Sequence, residues 1–192
     1  MIVKDEQAVK IVVVLDESGS MSHLRSDVIG GFNTLIQDQK KLPGKADVTL
    51  YTFSNKVVVR LDGVDLENVS ELDDASYQPG GMTAMNDAIG TALAALLREN
   101  VAKAIISIFT DGHENASVEY NSAQVKDLVK QCEDKGYQVV FLAANIDEVA
   151  VAKSFGLAAS ATRGFEASQA GIMGAHTHAS ASITSYRTGG FQ

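Results

Sequence analysis

Residues Ile11-Val12-Val13-Val14-Leu15 are followed at once by Asp16-Glu17-Ser18-Gly19-Ser20-Met21, so an unbroken apolar run ends in polar oxygen donors at alternate positions. A strand with no polar alternation must be covered on both faces, which is the situation of a parallel sheet sandwiched between helices. The chain therefore has to supply further strands and enough amphipathic helix to cover two faces. The same run also constrains chemistry. Asp16, Ser18 and Ser20 leave the carboxyl end of a buried strand, and hard oxygen donors of this type suit Mg²⁺ or Mn²⁺.

The rest of the sequence supplies that framework. Leu24, Val28, Ile29, Phe32, Leu35 and Ile36 recur at helical spacing, and Lys40-Lys41-Leu42-Pro43-Gly44 ends that helix. Ala46 to Phe53 and Lys56 to Leu61 read as two strands across a Ser54-Asn55 turn, a hairpin that makes one strand antiparallel. Thr83 to Leu97 carries a small-residue amphipathic pattern, and Lys103 to Thr110 is a second fully apolar strand. Ser122 to Lys135 reads as a helix closed by Gly136, followed by a strand from Tyr137 to Ala143. A helix from Ile146 to Phe155 and a short strand from Ala158 to Thr162 complete a doubly wound α/β order. The predicted sheet is mostly parallel and six-stranded, with one antiparallel edge and helices on both faces. One domain spans residues 1–192, with a core over about 9–162 and a tail over 163–192. In that tail Glu166 to Tyr186 reads as a covering helix weakened by Gly171 and Gly174. It could instead pack on another subunit or fill the chain's own site.

Two later segments complete the oxygen set. Pro79-Gly80-Gly81-Met82-Thr83 brings a hydroxyl on a glycine-rich loop, and Phe109-Thr110-Asp111-Gly112 brings a second strand-end carboxylate. In a doubly wound sheet, ligands gather at the carboxyl ends of strands where the winding reverses, which is where Asp16 and Asp111 should meet. Two carboxylates about 4 Å apart repel by roughly 4 kcal/mol at an effective dielectric near 20, a cost that a cation removes.

The Asp-x-Ser-x-Ser order, the later Thr in a Gly-rich loop and the Thr-Asp-Gly after a strand resemble the von Willebrand factor type A domain with its metal-ion-dependent adhesion site. The resemblance covers roughly Val9 to Ala143. It implies that Ser18, Ser20 and Thr83 bind the metal directly, while Asp16 and Asp111 act through water. It further implies a non-enzymatic module whose Mg²⁺ (or Mn²⁺) coordinates an Asp or Glu carboxylate from a partner protein. The small stand-alone bacterial and phage versions, including those of tellurite-resistance and stress loci, are the nearest analogy. Met82 beside Thr83 and Glu17 beside Asp16 depart from the pattern without removing a ligand, although Glu17 offers an extra carboxylate.

Other functions find less support. Net charge is -8, which disfavours a nucleic-acid surface. No apolar run reaches the roughly 18 residues of a membrane span. The start Met1-Ile2-Val3-Lys4-Asp5-Glu6-Gln7 lacks the apolar core of a secretory signal, and the lone Cys132 offers no internal disulfide. These point to a cytoplasmic protein. Six acids between Asp62 and Asp74, with no Lys or Arg among them, read as a solvated face, or else as a belt that concentrates cations near the site and repels the wrong acidic partners. His176 and His178 read as surface residues, with a second metal site as the alternative; His23 and His113 belong to the rim of the site. No Gly-x-Gly-x-x-Gly follows the first strand, no P-loop occurs, and Asp16 lacks the second Asp expected of a phosphoryl acceptor. The remaining alternatives are assembly of the chain with itself through the site and metal-dependent hydrolysis of a phosphoester.

Overall fold

The structure, a computed structural model, describes residues 8–144 and 147–189. Six strands form one sheet in the order β3-β2-β1-β4-β5-β6. They are β1 (Val9–Asp16), β2 (Ala46–Phe53), β3 (Val57–Asp65), β4 (Ala104–Thr110), β5 (Gln138–Ala144) and β6 (Thr162–Phe165). All neighbours are parallel except β2 and β3. The α/β reading with one antiparallel edge is therefore correct, and every residue of β1 and β4 is buried.

Alternate residues of the central strands feed two cores. Ile11, Val13 and Leu15 of β1 pack with α1 (Arg25–Lys40) and α5 (Gln169–Thr188). Val12 and Val14 pack with α2 (Met85–Glu99), α3 (Ser122–Asp134) and α4 (Glu148–Ser154). In α2 the small residues Ala88 and Ala92 let the helix lie close to the sheet beside Ile89, Leu93 and Leu96. Asn121 caps α3 with a reciprocal capping box through Gln124, and Gly136 takes φ 81° just beyond its end, the left-handed position a glycine accepts.

Besides small shifts at the ends of α2 (predicted from Thr83) and α5 (predicted as Glu166 to Tyr186), three segments differ from the sequence reading. The hairpin's second strand runs on to Asp65, because Gly63 at φ 58° and a register shift opposite Thr49 let pairing continue; Gly63 N donates to Thr49 Oγ1 at 3.0 Å. Asp62 and Asp65 are thus strand residues. The last strand starts at Thr162, where that reading ended it, and Ala159–Ala161 form a 3₁₀ turn instead. Alanine and serine have weak strand preference, whereas Thr162 and Phe165 supply the β-branched and aromatic side chains that pair well. The predicted helix from Ile146 appears as Glu148–Ser154; Ile146 itself lies outside the described residues.

The tail does form a covering helix. Ser168 caps α5 by accepting from Gly171 N, and Gly189 ends it at φ 78°. Polar contacts fasten it to α1: Gln39 Nε2 donates to Ser180 O at 3.1 Å and to Thr184 Oγ1 at 3.1 Å, and Arg187 donates to Gln39 O at 2.6 Å. Its His176 corrects the surface reading. The ring is 4% exposed, stacks on Phe109 with centroids 4.4 Å apart, and occupies the space where a side chain on Gly31 would sit. Helical placement explains it, since Ile172, Ala175, Ala179 and Ile183 set a buried stripe that position 176 joins. His178, two residues on, faces outward beside Arg163. Glycine inside a helix costs about 1 kcal/mol relative to alanine. Gly31 has a packing reason, whereas a Cβ on its neighbour Gly30 would meet nothing within 4 Å.

Candidate functional site

The carboxyl edge of β1 and β4, adjacent strands on either side of the point where winding reverses, gathers the predicted oxygen donors. Asp16 ends β1 and is completely buried. Its Oδ1 accepts from Ser18 N at 2.8 Å and its Oδ2 from Thr110 Oγ1 at 2.6 Å. The following loop turns Ser18 and Ser20 to the same side, their hydroxyl oxygens 3.0 Å apart. Ser20 Oγ then donates to Asp111 Oδ1 at 2.6 Å, linking the first and third sequence segments across 91 residues. Thr83 reaches this cluster from the second: a Cβ on Gly112 would lie 3.0 Å from Thr83 Oγ1 and 3.6 Å from Ser20 Oγ. Asp16, Ser18, Ser20, Thr83 and Asp111 thus converge.

Backbone contacts fix this geometry. Gly19 N donates to Gly81 O at 3.0 Å and Gly80 N to Glu17 O at 2.9 Å, so the glycine loop lies directly against the β1 exit. Gly81 has φ 80°, and a Cβ there would collide with Asn55 Oδ1, which accepts from Met82 N. Thr83 precedes α2 rather than opening it, and Asn115 clamps it from the β4–α3 loop: Thr83 N donates to Asn115 Oδ1 at 2.8 Å and Asn115 N to Thr83 O at 3.1 Å. The same loop is anchored to α2 by Asp87, which accepts from the backbone N–H of Val118, Glu119 and Tyr120. Glu114 accepts from Asn86 N and Ser117 Oγ.

Several supporting residues escaped sequence reading. Tyr77 is fully buried and donates its hydroxyl to Asp16 O at 2.5 Å, and nothing local in the sequence announces this long-range contact. Burial, followed by the charges of Asp16, Glu17 and Asp111, pushes its phenol far above the ordinary range, so it stays a donor. Thr110 carries a better signal, since it sits inside the Thr-Asp-Gly motif. Glu17 turns away from the site: it accepts from Gln78 N and pairs with Arg60 of β3 at 3.0 Å. His23 bonds Ser20 O through Nδ1 at 2.8 Å and, like His113, stays exposed. Tyr77→Phe should lower stability by about 1–2 kcal/mol, because it strands a buried carbonyl acceptor; urea denaturation measures this.

Two carboxylates share this edge at a cost. Burial raises the Asp16 carboxyl above its ordinary value, bonds from Ser18 and Thr110 pull it back, and the Asp111 charge raises it further. Asp111 Oδ2 is buried without a hydrogen-bond partner among the described residues. A hard divalent ion would satisfy such an orphaned oxygen, on a carboxylate whose other oxygen already accepts from Ser20 Oγ. Among the described residues no three His, Cys, Asp or Glu side chains cluster, so hydroxyls would carry much of the coordination. Neutral ligands leave such an ion more of its charge to attract an outside carboxylate.

The von Willebrand factor type A domain family model matches residues 10–171, and the chain belongs to this family. Among solved structures the chain resembles the PilB minor pilin from Streptococcus sanguinis, with 11% identity and a TM-score of 0.69 over 95% of this chain and 62% of that one. It also resembles proximal thread matrix protein 1 from the mussel byssus, described with a zinc-occupied adhesion-site motif, at 12% identity and TM-score 0.68 over 93% of this chain and 46% of that one. The von Willebrand factor domain of the type V pili tip protein Mfa5 from Porphyromonas gingivalis matches at 10% identity and TM-score 0.66, covering 97% of both chains. The chain thus spans about 62% of the pilin and 46% of the byssus protein. Comparison with curated protein sequences returned no match.

Proposed function

We propose that this chain is a protein-binding module in which Asp16, Ser18, Ser20, Thr83 and Asp111 hold Mg²⁺ (or Mn²⁺), and the ion coordinates an Asp or Glu of a partner protein. The observation that carries the reading is the hydrogen-bonded line from Asp16 through Ser18 and Ser20 to Asp111, with Thr83 and Ser20 facing the same Gly112 and Asp111 Oδ2 without a hydrogen-bond partner among the described residues. When bound, the ion supplies an electrophilic centre for an outside oxygen. Thr110 and Tyr77 hold Asp16 in place, and the Asn115 clamp holds Thr83.

Family membership supports an interaction role, since such domains are often metal-dependent adhesion or interaction modules. The named neighbours are pilin and matrix proteins, in keeping with a role outside catalysis. The whole chain acts as one unit, with α5 as its cover, and works in the cytoplasm as an adaptor or assembly factor. Cys132, buried in α3 with its thiol pushed up to about 11 by burial, is suited to a reduced compartment and to packing, not to reaction. Among the described residues no helix is long and apolar enough to cross a membrane.

Affinity capture from native lysate, with tagged wild type and Ser18→Ala in Mg²⁺ or EDTA, tests the reading. A partner retained only by wild type in Mg²⁺ supports it. Equal capture in all conditions, or mass growth of the protein alone with Mg²⁺, contradicts it.

A further inference from the structure

A second concavity lies away from the metal edge, between α1 and α5. It encloses about 420 Å³, within the size range of small-molecule sites. The α1 wall presents Asp27, Gly30, Thr34 and Asp38; the α5 wall presents Gln169, Met173 and Thr177. No lysine or arginine lines it. Asp27 takes part in none of the ion pairs among the described residues. Asp38 is held only by an exposed contact with Lys41 at 2.8 Å, which a competing ammonium displaces at little cost.

One further feature marks the trench as kept open. Gly30 stands in the middle of α1, where glycine weakens a helix, yet the space beside it is empty and no neighbour demands its absence of side chain. Any larger residue there would project into the trench. The floor holds His176, more than nine-tenths buried, whose two ring nitrogens find no hydrogen-bond partner among the described residues. The ring borders the trench but both nitrogens are covered, so a guest in the trench meets the carboxylates and hydroxyls of its walls, not the imidazole.

We propose that this trench binds a linear aliphatic polyamine. Asp27 and Asp38 lie eleven positions apart on one helix, about 16 Å along its axis at 1.5 Å per residue. That spacing suits a chain with amines at both ends better than a compact cation. The methylenes lie over Gly30 and the thioether of Met173, which is 56% exposed, and inner amines meet the hydroxyls of Thr34 and Thr177. Carboxylates at the ends, hydroxyls between and an apolar track repeat the alternation of charge and hydrocarbon in the ligand.

Calorimetry with spermine and spermidine at about 0.15 M salt, where long-range attraction to an acidic protein is screened, tests the proposal. Wild type should show one saturable site. Gly30→Leu leaves the charge unchanged and improves helix propensity, so the unliganded melting temperature should hold or rise while affinity falls at least about tenfold. Asp27→Asn should weaken binding as well. Ser18→Ala should leave it unchanged, which keeps this site separate from the metal edge. No heat with wild type, equal binding by Gly30→Leu, or loss in Ser18→Ala would overturn the proposal.

Discussion

Replacing Asp111 by Asn should make the metal-free protein more stable and the metal-loaded protein less so. In the absence of a cation, Asp16 and Asp111 are like charges at one strand edge, and the charge of Asp111 pushes the Asp16 carboxyl upward. Neutralising one should return about 1 kcal/mol, part of the ~4 kcal/mol that two such charges cost at 4 Å and an effective dielectric near 20. Asparagine retains an oxygen for the bond from Ser20 Oγ, so the loop keeps its anchor. Loss of the carboxylate, however, should weaken Mg²⁺ binding by about 10–100-fold. Wild type at about 100 times its dissociation constant gains ~2.7 kcal/mol from the ion. The order of melting temperatures should therefore cross: Asp111→Asn above wild type in EDTA, below it in saturating Mg²⁺. Two parallel shifts with no crossing would mean that Asp111 only supports the fold.

Acid should destabilise the protein through His176. Burial lowers its pKa from the ordinary 6.5 to about 3. Between those values the unfolded chain binds a proton that the folded chain refuses, so the stability of the neutral ring is fully present above pH 6.5 and is lost as pH falls through the window. At about 1.4 kcal/mol per pH unit, the loss approaches ~5 kcal/mol near pH 3. Asp16 works in the opposite direction, because burial raises its pKa and protonation favours the folded form. The His176→Phe variant isolates the imidazole while preserving an aromatic ring against Phe109. Its chemical-denaturation stability should change with pH by several kcal/mol less than wild type between pH 6.5 and 4. Identical slopes would place the acid sensitivity elsewhere.

How far the sequence reaches depends on how local the cause is. The run Ile11–Leu15 dictates a strand buried on both faces, and the sheet places it at the centre beside β4. The convergence of Asp16, Ser18, Ser20, Thr83 and Asp111 was legible because each follows an element that could be read, and the winding rule brings their ends together. Residues that act over long range were not. Tyr77 reaches Asp16 across 61 positions from an irregular segment, and the Asn115 clamp on Thr83 requires knowing that two loops meet. The last strand lies a few residues beyond its predicted place because the alanines and serine around Ala158 carry little strand preference, and only pairing with β5 decides where the strand begins. His176 was misread for a different reason: with small residues on both sides, α5 shows no strong apolar contrast, so only the docked helix reveals which face is buried.

The central claim is that three separated segments make one divalent-cation site from hydroxyls and carboxylates. Isothermal titration of the folded protein with Mg²⁺ and with Mn²⁺, alongside Ser18→Ala and Thr83→Ala, tests it most directly. One saturable site in wild type, weakened by about 1.4 kcal/mol or more in each variant with the circular dichroism unchanged, is the predicted result. No binding by wild type, or binding that both variants retain in full, would contradict it.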